Sequence, residues 1–182
     1  WNPHAVVPRM SSTVVAHERG VEAARWVLER LEDGDLDRRL LLLEWVRLLL
    51  ERAPLIEPLG LKDILLRRAS DPVAEVANKV TLCLAKAIEA DRDFGHQLAL
   101  RLHEREETLV RRAMADVLTR LFRRLTWDAL PLLDDMLTSD DEGVLAAASA
   151  TVGDVKYLDK EQWADRLRQL ADHPLALSLI HI

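Results

Sequence analysis

The sequence predicts an all-α protein in which about four antiparallel helix pairs, preceded by a leading helix, stack side by side. Three observations carry that prediction. The 182 residues are 49% hydrophobic and 31% charged but only 4% aromatic, with six glycines and seven prolines, a profile of helices rather than of a sandwich or barrel. Apolar residues recur at helical spacing from about His17 onward. The apolar stripes then recur as blocks. Val76, Val80, Leu84 and Ile88 stand 34 residues ahead of Val110, Met114, Leu118 and Phe122, and Val144, Ala148 and Val152 follow another 34 along. Two helices per fixed period are the mark of a repeat array, because a lone pair cannot bury its stripe and must share it with a neighbour.

Taken in order, residues 1–15 hold Pro3, Pro8 and a Ser-Ser-Thr run and read as a linker. "VEAARWVLERL" then sets Val21, Ala24, Val27, Leu28 and Leu31 on one stripe, and "EDGD" (32–35) breaks it. "LDRRLLLLEWVRLLLERA" (36–53) is a long helix whose Arg38, Arg39, Glu44 and Arg47 exclude it as a membrane span. Pro54 and Pro58 bracket a turn, and "LGLKDILLRRA" (59–69) is a short amphipathic helix. Asp71 stands where an N-cap belongs and Pro72 where the first helical residue belongs, so the spacing predicts a helix from Pro72 through Ile88. "EADRD" (89–93) turns the chain into "FGHQLALRLHE" (94–104). The same sequence of events restarts at Glu106 and again at Ser139, and the partner helices keep step: Leu98 matches Leu132 at 34 residues, Trp127 matches Trp163 at 36.

The repeat resembles the HEAT or HEAT-like unit, whose consensus runs Asp-Pro-x-x-x-Val-Arg-x-x-Ala-x-x-Ala-Leu. Asp71, Pro72, Glu75 and Val76 fall in register with it, as do Val110, Arg111, Ala113 and Val117, and Asp140, Val144, Ala147 and Gly153. The family arginine is replaced by Ala77 in one unit and Leu145 in another, and the proline is kept once. The resemblance covers about residues 35–172 within a repeat domain of 16–172. It implies a right-handed α-α superhelix, an armadillo-type solenoid that acts as a scaffold or docking surface. It also implies that second helices face the concave side, which makes Gln97, Arg101, Asp135, Arg166 and Gln169 candidate partner contacts. "DHPLALSLIHI" (172–182) begins a further unit and stops. Residues 173–182 therefore read as a truncated repeat or as a foreign tail resembling translated adapter DNA, and the start on Trp1 reads as a piece of a longer protein.

Charge and motif exclude much else. A net charge of −6 argues against a general nucleic-acid binder. Cys83 is the only cysteine, which rules out an internal disulfide and points to a reducing compartment, the cytoplasm. His96 and His103 share a helix face without a third ligand, so no metal site is expected. Cys83 lies on an apolar stripe with no base to ionise it. No G-x-S-x-G, Walker or G-x-G-x-x-G motif occurs, and no cofactor is expected. The Ser139–Glu142 group reads as helix capping, while Asp134 and Asp135 sit late in their helix, where capping does not explain them, and are candidates for a partner surface. The pairs Arg38–Arg39, Arg67–Arg68, Arg111–Arg112 and Arg123–Arg124 fall on different helices and read as solvated faces salt-bridged to glutamates.

The expected function is therefore non-catalytic: a protein-interaction scaffold or regulatory module with protein partners, no nucleic acid and no membrane, monomeric or part of a larger chain. The alternative is a DNA-alkylation-repair-like HEAT glycosylase or another DNA-binding HEAT-like protein, since HEAT-like enzymes of the first kind use tryptophan and a carboxylate. Trp127 with Asp128 and Trp163 with Asp165 supply those residue types. Packing at the entry of the second helices is the simpler account of both tryptophans.

Overall fold

The structure, a computed structural model, describes residues 18–176. The linker at 1–15 and most of the tail at 173–182 lie outside that range. Every regular element among the described residues is helical. In order they are α1 (Glu18–Glu32), α2 (Leu36–Leu49), α3 (Ala53–Ile56), α4 (Leu61–Ala69), α5 (Ala74–Thr81), α6 (Leu84–Ala90), α7 (Arg92–His103), α8 (Thr108–Leu125), a 3-10 turn (Thr126–Ala129), α9 (Leu130–Met136), α10 (Glu142–Val155) and α11 (Lys160–Ala171). No helix among the described residues is long and apolar enough to cross a membrane. Contacts gather the chain into two compact units, Trp1–Arg101 and Leu102–Ile182.

In the first unit α2 packs on both α1 and α5, and α4 packs on α5. The Asp35 side chain caps α2 by accepting from the Arg38 backbone N–H. α2 ends at Leu49 rather than running to Ala53, and α3 carries Pro54 in its first turn. Gly60 starts α4 at φ +61°, a left-handed conformation that glycine adopts without strain. The helix predicted from Pro72 starts instead at Ala74 and is broken at Leu82–Cys83. Two local contacts account for this. The Asp71 carboxylate accepts from the Val73 backbone N–H, which holds Val73 extended outside the helix. Further on, the Thr81 hydroxyl donates to Asn78 O at 2.7 Å, while Leu82 and Cys83 N–H groups close three-residue rings on Lys79 and Val80. The hydroxyl bond and the tightened turn together end α5. At Gly95 a Cβ would fall 2.6 Å from Ile88 Cα, so only glycine lets α7 pass this close to α6.

In the second unit α8 packs on α10, and α10 also receives α9 and α11. Asp141 caps α10 through Val144 N–H, and Asp159 caps α11 through Glu161 and Gln162 N–H groups. The residues that define the 34-residue period occupy matching environments: Val76, Val110 and Val144 are all essentially inaccessible, as are Val80, Met114 and Ala148. Trp45 is fully enclosed as well, and its indole N–H meets no hydrogen-bond acceptor among the described residues.

Polar contacts between helices fall at sequence offsets close to the period. Arg39 of α2 reaches Asp71 ahead of α5 (32 residues), Lys62 of α4 reaches Asp91 ahead of α7 (29), and Arg67 of α4 reaches Glu32 of α1 (35). In the second unit Arg112, Thr119 and Arg123 of α8 reach Asp141, Thr151 and Asp154 at α10 (29, 32 and 31), and Asp134 of α9 reaches Arg166 of α11 (32).

Candidate functional site

The strongest polar construction in the first unit is built on Asp71, only 2% exposed. Its carboxylate accepts two bonds from Arg39 Nη1 (2.6 and 2.7 Å), one from Arg68 Nη1 (2.8 Å) and one from Val73 N–H (3.0 Å). Arg68 also lies 3.5 Å from Glu32, which Arg67 holds at 2.7 and 3.0 Å. A carboxylate this enclosed must be matched by cations, and here it is. The cluster ties α2, α4 and the approach to α5 together. Asp71 is a buried anchor between helices and not the N-cap that its position suggested.

The candidate partner contacts divide between the units. In the first, Gln97 and Arg101 lie exposed on α7, with Arg101 Nη1 3.4 Å from Ser70 Oγ. In the second, Gln169 is exposed on α11, while Asp135 and Arg166 are engaged. Asp135 Oδ2 lies 3.2 Å from both Arg111 Nη2 and His103 Nε2. Burial lowers the His103 pKa, against the pull of Asp135. Arg166 is only 7% exposed. Its guanidinium donates twice to Asp134 (2.8 Å each) and also to Gln162 O (3.0 Å) and Oε1 (2.8 Å). The late-helix pair Asp134–Asp135 therefore has an internal explanation: each carboxylate binds a cation from another helix.

The other residues singled out in the sequence also find their places. Cys83 is buried and desolvation pushes its thiol up to about 12, so it is a packed thiol without thiolate character. The arginine pairs are answered more by aspartates, Asp71, Asp135, Asp141 and Asp154, than by glutamates. Among the described residues no three His, Cys, Asp or Glu side chains converge as metal ligands. Trp163 of α11 lies under Lys156, whose Nζ is 5.3 Å from the ring centroid. Trp127 departs from expectation. It sits in the 3-10 turn and is 50% exposed, so packing at a helix entry does not account for it.

Beside Trp127 is a feature that the repeat pattern did not announce. α8 ends on Thr126 at φ +52°, ψ −118°, a conformation strained for a β-branched residue. Next to this kink a cavity of about 420 Å³ opens, with Phe122, Arg123 and Thr126 on the α8 side and Asp154, Tyr157 and Leu158 on the α10 side. Tyr157 is 86% exposed.

Comparison with known proteins adds little. No protein-family model and no curated protein matches the chain. Among solved structures it is similar to the crystal structure of an engineered protein, at 14% identity and a TM-score of 0.42, covering 100% of this chain and 97% of the other. A likeness of that degree bears on neither family nor function.

Proposed function

We propose that the chain is a HEAT-like α-solenoid, a right-handed stack of helix pairs, and that its role is to hold a protein partner rather than to catalyse a reaction. One observation carries this reading: within each unit, ion pairs and hydroxyl contacts join equivalent helices at offsets of 29 to 35 residues. Within each unit, copies that stack in this way present their second helices as a face, the usual working surface of repeat arrays. On those faces Gln97 and Arg101 of the first unit, and Asp135 and Gln169 of the second, are exposed. Asp135 is exposed but paired with Arg111 and His103, and Arg166 is buried against Asp134, so both also fix helices of the second unit. The single buried thiol fits a reducing compartment, and we place the protein in the cytoplasm on that ground.

The test is site-directed photocross-linking in cells, with a benzophenone amino acid at Gln97 or Gln169 on second helices and, for comparison, at Glu75 or Asp116 on first helices. A discrete adduct with another protein formed only from the second-helix positions supports the scaffold reading. Equal labelling from all four positions refutes the assigned face. Release of a methylated base from duplex DNA by the purified chain refutes the non-catalytic reading in favour of the glycosylase.

A further inference from the structure

The cavity at the end of α8 has the makings of a specific recognition pocket. Three independent features meet there. The first is backbone strain: Thr126 holds a positive φ that is unfavourable for a β-branched residue, and strain of this kind persists where the surroundings enforce it. The second is the choice of exposed side chains. Tyr157 stands 86% exposed at the cavity and Trp127, one residue beyond the kink, is 50% exposed. Tryptophan, tyrosine and arginine are the residue types that dominate binding hot spots. The third is charge. Arg123 forms part of the wall, and Arg120, one turn earlier on the same face of α8, is exposed with no ion-pair partner among the described residues. Arg123 is held by Asp154 (Nε–Oδ2 2.8 Å), which fixes its guanidinium at the rim and leaves Arg120 as the cation open to an incoming anion.

We propose that this cavity docks an acidic peptide segment through one large apolar side chain. The pocket of about 420 Å³ falls within the range of small-ligand pockets, about 300–1,000 Å³, with Phe122 buried behind it. An aromatic or aliphatic side chain entering it would cover Phe122 and Leu158 and stack against Tyr157, while a flanking carboxylate would meet Arg120. The complementarity is with an acidic segment because the rim's one carboxylate, Asp154, is already neutralised by Arg123. This deepens the scaffold reading and rests on it, by naming the chemistry of a partner and a place where it is gripped.

The experiment is a tryptophan-fluorescence or calorimetric titration of the full chain with the blocked peptide acetyl-Glu-Glu-Leu-Phe-Glu-Glu-amide. Controls are the same peptide with lysines for glutamates and with alanines for leucine and phenylalanine. The expected result is saturable binding of the acidic Leu-Phe peptide alone, weakened about tenfold by Tyr157→Ala or Arg120→Glu and unchanged by Glu75→Gln. Both altered side chains are exposed, and circular dichroism checks that each variant keeps its fold. The proposal is overturned by equal binding of the lysine or alanine peptide, by binding indifferent to Tyr157→Ala, or by no saturable binding at millimolar peptide. Displacement of the peptide by an oligothymidylate also overturns it, in favour of a nucleic-acid site. Photocross-linking from Gln97 and Gln169 reads the second-helix face independently. Cross-links that persist beside a failed titration sink the pocket alone, and their loss sinks the scaffold reading.

Discussion

Asp71 shows how one side chain can do a different job from the one its neighbours advertise. It receives Arg39, Arg68 and the Val73 N–H at once, and these donors satisfy a carboxylate enclosed between helices. Asp71→Ala should cost about 3 kcal/mol in a denaturant melt, the lower end for a broken buried pair, because both guanidiniums keep some contact with water. Thr126 makes the opposite case. Glycine tolerates φ +52° and removes the strain, at the expense of a more flexible unfolded chain, so Thr126→Gly should gain about 1 kcal/mol and raise Tm by a few degrees. A Tm that falls by as much would mean that the threonine side chain makes a contact worth more than the strain. Cys83, with its thiol pushed up to about 12, should resist a maleimide or an aromatic disulfide at neutral pH until the protein unfolds. Rapid labelling of the native protein would contradict its burial.

At the scale of the helix, the apolar positions were readable and the ends were not. Period-34 stripes placed Val76, Val110 and Val144 in the core because burial is the property that helical spacing encodes. Val110→Asp accordingly puts an unpaired charge into the seam between α8 and α10, and should lower stability by 3 kcal/mol or more, read as a large drop in denaturation midpoint. The cap at α10 was also legible, since Asp141 stands three residues ahead of the Val144 N–H it serves and keeps that bond while also pairing with Arg112. Asp141→Ala should cost about 1 kcal/mol. By contrast, the Asp71-Pro72 pair carries the same local signal, but contacts with Arg39 and Arg68 from other helices decide its use. The break at Leu82–Cys83 turns on a hydroxyl bond that no apolar pattern reveals. For the candidate site the limit was similar. The resemblance pointed to Arg166 and Asp135 through their place on second helices, but the burial of Arg166 and the pairing of both depend on which helix lies alongside. Tyr157 carries no motif at all.

Across the whole molecule, pH acts through groups held off their ordinary values. Glu107 beside Arg105 is drawn down to about 2, and Glu44 by Lys79, Asp91 by Lys62 and Asp141 by Arg112 are lowered too. The unfolded chain takes up these protons first, at about pH 4. The stability they contribute is therefore complete above that pH and is lost as pH falls through the folded values, with a slope that added salt should flatten. His103 has the same sign in a different window: its pKa is lowered, so the unfolded state binds the proton first, near pH 6.5, and stability declines as pH falls below about that value. His103→Gln should remove the pH dependence of Tm between roughly 7 and 5 while leaving the steeper acid limb intact. A slope unchanged in that variant would assign it elsewhere. The enclosure of Trp45 has an optical consequence. An excited indole relaxes by reorienting nearby water, and Trp45, only 1% exposed, is sealed away from the solvent. Its emission should sit at the blue edge of the spectrum and be shielded from iodide, while Trp26 and Trp127, both half-exposed, should emit further to the red and be quenched. The spectrum of the untouched protein then reports on both populations at once: loss of the blue shoulder signals that the interior has opened, and a change confined to the quenchable fraction signals an event at the surface.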